Sequence, residues 1–93
     1  MKYIANAFSL GMVPSQHLPG LKFEAVEGPE EATTSIVGHA DTAAVLGVAM
    51  NRQSVTLQPG DTLYVAQLQG GRLPEGSTTL PHGFSFTWIK VTL

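Results

Sequence analysis

The chain has 93 residues, a formal net charge of −2, no cysteine, and 43% apolar against 13% charged residues. These values describe one small folded domain spanning residues 1–93 rather than a disordered chain, and they exclude a disulfide scaffold and thiolate metal sites. The acidic balance also argues against a module that grips long DNA or RNA through its phosphates, while leaving room for a small anion held by a few cations. Met1 to Leu10 lacks the basic start and long apolar run of a signal peptide. No apolar segment approaches the ~20 residues needed to cross a bilayer. The expectation is a soluble cytoplasmic protein with no membrane partner, of a size that gains stability by pairing with itself.

In chain order, Lys2 to Phe8 reads as a strand, after which Gly11, Pro14 and Pro19-Gly20 break regular structure. Lys22 to Glu27 alternates polar and apolar residues and predicts a second strand, closed by Gly28-Pro29. Glu30 to Ser35 fits one short helical turn. Asp41 to Met50 predicts a helix, with Asp41 and Thr42 suited to its start and Ala44, Val45, Val48 and Ala49 as its buried stripe. Gly47 within it costs about 1 kcal/mol relative to Ala, so either something packs close there or the helix ends nearby. Gln53 to Gln58 predicts a strand with Val55 and Leu57 inward, joined by the turn Pro59-Gly60-Asp61 to a strand over Thr62 to Gln69. Phe84 to Leu93 is the last strand. Its apolar phase changes between Trp88 and Ile89, which calls for a bulge or for burial on both faces. The sum is an α/β (α+β) domain with a mixed sheet of about five strands and a flanking helix.

The chemistry-bearing residues are few. His39 follows Gly38 and precedes the helix start, where backbone N–H groups attract anions and a glycine permits close approach. An imidazole there can bind phosphate or donate a proton to a leaving oxygen, although spacing alone favours an ordinary helix-capping histidine. Arg72 and Glu75, after a Gly pair, offer a phosphate-binding fork and a carboxylate, or else a surface ion pair. Arg52 is a second cation that could meet an anion or simply be solvated. Asn6 and Ser9, at the end of the first strand, can bind a ligand or satisfy a local turn. His17 and His82 read as exposed and without a role. The three histidines lack metal-type spacing, and neither a Lys-bearing phosphate loop nor a nucleophile elbow is present, so no metal and no cofactor is expected.

Four segments in order resemble the viral ring nuclease family, the anti-CRISPR proteins that act on the cyclic oligoadenylate messenger of type III CRISPR systems. They are Asn6-Ala7-Phe8-Ser9-Leu10; Ser35-Ile36-Val37-Gly38-His39 with Asp41-Thr42-Ala43; Asn51-Arg52 with Leu57-Gln58-Pro59-Gly60-Asp61; and Arg72-Leu73-Pro74-Glu75-Gly76. The resemblance implies a homodimer that binds one cyclic tetra-adenylate across its interface. It also implies cleavage, without a metal, to short linear oligoadenylates with 2′,3′-cyclic phosphate ends, in the cytoplasm of an infected host if the chain is viral. It carries the catalytic histidine onto His39, the paired Arg and Glu onto Arg72 and Glu75, and ligand contacts onto Asn6, Ser9 and Arg52, beside Gly38. Two features depart from the relatives. Ser77 to Gly83 stands where they often have a longer charged helix, and Gly11 stands where they often have a polar residue. Two other readings remain: a binding protein that sequesters cyclic oligoadenylate without cutting it, which would keep the basic contacts but not need His39, and a structural viral interaction protein, which fold and composition alone permit.

Overall fold

A computed structural model describes residues 1–29 and 33–93. Strand β1 spans Lys2–Ala5, β2 Lys22–Val26, β3 Thr34–Ser35, β4 Thr62–Gln69 and β5 Ser85–Thr92; an α-helix, α1, spans Ala40–Leu46, and two 3₁₀ segments cover Leu10–Met12 and Ser15–Gly20. The strands form one sheet in the order β2-β5-β4-β1-β3. β1 runs parallel to both β3 and β4, while β4 with β5 and β5 with β2 are antiparallel. The α+β class, the five-stranded mixed sheet and the flanking helix all agree with the sequence reading.

The central strand, β4, is apolar on both faces because it is flanked on both sides and covered above and below. Leu63 and Val65 share a face with their register partners Val91 and Ile89. Leu63, Val65 and Val91 form the main core cluster with Ala5, Val13, Ile36 and Leu57, and the half-buried Ile89 packs against it. Tyr64 and Ala66 alternate to the other face with Ile4, and all three are buried. The remaining buried apolar residues, Val37, Ala43 and Leu73, lie before α1, within it, and in the loop after β4. These segments therefore supply the second cover.

The structure corrects the sequence reading in several places. β1 ends at Ala5 rather than Phe8. Ile36 N–H donates to Ile4 C=O at 2.8 Å, but the next donor of the parallel ladder, Gly38 N–H, goes to the Asn6 side-chain Oδ1 at 3.4 Å. A side chain has replaced the backbone acceptor, and the ladder stops. Gln53 to Gln58 is not a strand. Both edges of β4 are already taken by β1 and β5, so no edge remains for the expected hairpin. The inward residues are still right: Leu57 is buried, Val55 packs against the core, and Leu57 N–H donates to Met12 C=O at 2.8 Å.

The helix ends at Leu46 rather than Met50, because Gly47 adopts φ 72°. Gly47 N–H donates to Ala44 C=O at 3.1 Å and Val48 N–H to Ala43 C=O at 3.0 Å, a Schellman-type stop. Val48 and Ala49 therefore lie beyond the helix, and the expected stripe cannot form. The buried residue of α1 is Ala43, while Ala44 and Ala49 are exposed and Val45 and Val48 half-buried. Of the short helix expected over Glu30 to Ser35, residues 30–32 lie outside the described residues, and Thr34–Ser35 form β3. β5 runs in unbroken register from Ser85 to Thr92, so its change of phase reflects cover on both faces rather than a bulge. His17 is half-buried rather than exposed.

Candidate functional site

β3, β1 and β4 are parallel neighbours, so their carboxyl ends lie along one edge of the sheet. The chain leaves that edge at Asn6, at Ile36 and at Gly70, and the segments beyond these points carry every candidate residue of the sequence reading except Arg52. Ligands of open α/β sheets commonly bind outside the carboxyl ends of parallel strands. Here that edge holds a cleft of about 520 Å³, lined by residues that include Asn6, Ser9, Gly38 and Arg52.

Each of these four has a local reason for its place. Asn6 Oδ1 accepts from Gly38 N–H across the ends of β1 and β3, and so links two strands rather than satisfying a local turn. This bond leaves the Asn6 amide hydrogens for another partner. Ser9 precedes the first 3₁₀ segment but makes no side-chain cap bond, so its hydroxyl is available to the cleft. Arg52 Nε donates to Gly38 C=O at 2.8 Å, which fixes the guanidinium at the cleft wall and leaves its terminal nitrogens for an anion. A Cβ on Gly38 would lie 3.2 Å from Arg52 Cγ. The approach of Arg52 is thus one reason for a glycine at this position. Asn51 supports the same wall: its backbone N–H donates to Val37 C=O at 2.9 Å and its side-chain Nδ2 to Ser35 C=O at 3.2 Å.

The three residues assigned to catalysis stand apart from that lining. His39 is exposed and caps α1: its Nδ1 lies 3.5 Å from Thr42 N and 3.4 Å from Thr42 Oγ1, at the outer limit of hydrogen bonding. The capping alternative is thus realised, yet it occupies only one ring nitrogen. In the neutral ring, an accepting Nδ1 leaves Nε2 to carry the proton. Arg72 and Glu75 are exposed, in the loop after β4, and form no ion pair with each other. One bond brings that loop to the start of α1: Gly76 N–H donates to Asp41 Oδ1 at 3.1 Å. His39, Arg72 and Glu75 do not line the cleft.

Gln53, Ser54 and Thr56 also line the cleft, and the sequence reading missed them. Ser54 and Thr56 alternate with Val55 and Leu57 as in a strand; here Leu57 is buried in the core, while Val55 both packs against it and lines the cleft. Among the described residues, no group of three or more His, Cys, Asp or Glu side chains is placed to hold a metal ion, and no helix is long and apolar enough to cross a membrane.

Fold and cleft together define a small α+β domain with a cleft at the carboxyl edge of its parallel strands, into which Asn6, Ser9, Arg52, Gln53, Ser54 and Thr56 bring polar groups. A family model described as STIV B116-like matches residues 2–84, and the chain belongs to that family. Its fold is similar to that of B116 of Sulfolobus turreted icosahedral virus (STIV), with a TM-score of 0.73 and 18% sequence identity over 99% of this chain and 98% of that one. No curated protein matches the chain.

Proposed function

We propose that the chain is a metal-independent ring nuclease that binds cyclic tetra-adenylate between two copies of itself and cuts it to short linear oligoadenylates, so acting as an anti-CRISPR protein. The observation that carries this reading is the convergence of Asn6, Ser9, Gly38 and Arg52 on one cleft. They come from three separate segments of the chain. A ring of four nucleotides exceeds the drug-sized ligands that clefts of roughly 300–1,000 Å³ enclose, and a second copy related by a two-fold axis would supply the other half of the site.

The chemistry needs few parts. The 2′-hydroxyl oxygen attacks the adjacent 3′-phosphate, forming a 2′,3′-cyclic phosphate as the bond to the 5′-oxygen breaks. His39 in its imidazolium form, with Nδ1–H facing Thr42 Oγ1, gives its Nε2 proton to the departing 5′-oxygen and is left as the neutral ring, and the 2′-hydroxyl proton passes to Glu75 or water. Arg72 stabilises the charge on phosphorus-bound oxygens in the transition state. Holding the ring so that attack is in line supplies up to roughly 7–11 kcal/mol of the barrier.

One observation favours a second reading, a protein that binds the ring without cutting it: the catalytic trio lies outside the cleft lining. Incubation with radiolabelled cyclic tetra-adenylate separates the two. Cut product with a cyclic phosphate end supports the nuclease, and retained intact ring supports the binder. A ring that is neither cut nor retained rejects both.

A further inference from the structure

A second cavity, of about 350 Å³, opens beside the cleft and shares Asn6 and Ala7 with it. Its floor is apolar: Val65, Ile89 and Val91 lie on one face of the sheet, with Phe8 and Phe23 at its side. The two phenyl rings meet edge to face, with centroids 5.6 Å apart and planes at 79°. Phe23 is 57% exposed, on the outer strand β2, although its register partner Val91 is fully buried. The polar residues of the cavity are Asn6 and Gln67, both carboxamides. Among the described residues, no cation or carboxylate belongs to its lining.

We propose that this cavity is a purine-base subsite, in which an adenine stacks on Phe23 while the Gln67 carboxamide reads its edge. The inference rests on the ring-nuclease reading, and it adds how that site would select the base. Aromatic faces bind bases of any kind by stacking. A carboxamide offers one acceptor and one donor, which pair with the N6 amino group and N7 of adenine; guanine presents two acceptors at the same edge and leaves one of them unmatched. The shared wall at Asn6 and Ala7 lets a nucleotide keep its phosphate near Arg52 while its base enters the apolar cavity. The other occupant of an exposed phenyl beside an apolar floor is a second copy of the chain, but a cavity bearing two carboxamides fits a hydrogen-bonding base better than an apolar side chain.

The test is calorimetric titration with cyclic tetra-adenylate bearing 2′-fluoro groups, which lacks the attacking hydroxyl, and with the matching cyclic tetra-guanylate. Circular dichroism first verifies the fold of Phe23→Ala, Phe23→Trp and Gln67→Leu. Phe23→Ala should bind the adenylate ring about 10-fold more weakly or worse, and Phe23→Trp should restore binding. Gln67→Leu should lose the preference for adenylate over guanylate. If the unaltered protein binds the adenylate ring and all three variants bind it equally well with preference intact, the subsite is rejected and the ring-binding reading survives. If Phe23→Ala instead halves the molar mass seen by light scattering without ligand, Phe23 belongs to a contact between copies and the subsite is rejected. If the unaltered protein binds neither ring, both readings fall.

Discussion

Among the described residues, Arg52 is the one cation in the cleft lining, and its Nε bond to Gly38 C=O sets its direction. Replacing it with Ala removes a charge-assisted contact to phosphate, and ring affinity should drop roughly 10-fold or more. Arg52→Lys should recover only part of this, since an ammonium cannot hold Gly38 and a phosphate through one planar fork; equal affinities of all three proteins in titration would show the guanidinium to be a solvated charge. Asp61 offers a test unrelated to the site. Its Oδ1 lies 2.8 Å from the Met1 ammonium, and its Oδ2 accepts from Gln58 N–H at 3.0 Å. Burial pushes its carboxyl up, but the hydrogen bonds from the ammonium and from Gln58, with the ammonium's charge, outweigh this and hold it below the ordinary value. A carboxyl lowered on folding stabilises the fold fully above its unfolded pKa, near ~3.9, and loses that contribution as the pH falls through the folded value. Urea midpoints measured from pH 6 downward should therefore fall less steeply in Asp61→Asn than in the unaltered chain, and identical profiles would contradict the assignment.

At the scale of elements, what local pattern encodes was legible and what tertiary pairing decides was not. Thr62–Gln69 reads correctly from its dense apolar run, and Lys22–Val26 from its alternation. The segment 53–58 has the same alternation but finds no free edge on β4, the strand that follows it, because β4 pairs on both sides. Only the topology of the whole sheet shows this. The two-residue β3 is too short to carry a period. At the site, Asn6, Ser9, Gly38 and Arg52 were legible as polar or glycine residues beside element ends, whereas Gln53, Ser54 and Thr56 were hidden by their strand-like spacing. The end of α1 gives a direct test. Gly47 holds φ 72°, a conformation that costs an L-residue roughly 1–2 kcal/mol. Gly47→Ala should lose that much stability, read as a lower urea midpoint at an unchanged slope; an unchanged midpoint would mean that the left-handed stop is not required.

For the whole molecule, the proposed function needs two copies, one cleft from each, around one ring. Light scattering at micromolar concentration should give about twice the mass of a single 9.9 kDa chain, and a single-chain mass with and without the ring would contradict the shared site. The central claim is that binding and chemistry reside in different residues of this assembly: the cleft holds the ring, and His39, on the cap of α1, supplies the proton. Its most direct test is single-turnover cleavage of cyclic tetra-adenylate by the unaltered protein and by His39→Ala, with ring affinity measured alongside. The variant should fold, pair and bind the ring as the unaltered protein does, and cut it at least ~10²-fold more slowly. Cleavage by His39→Ala at the unaltered rate would contradict the claim and leave His39 as a helix cap alone.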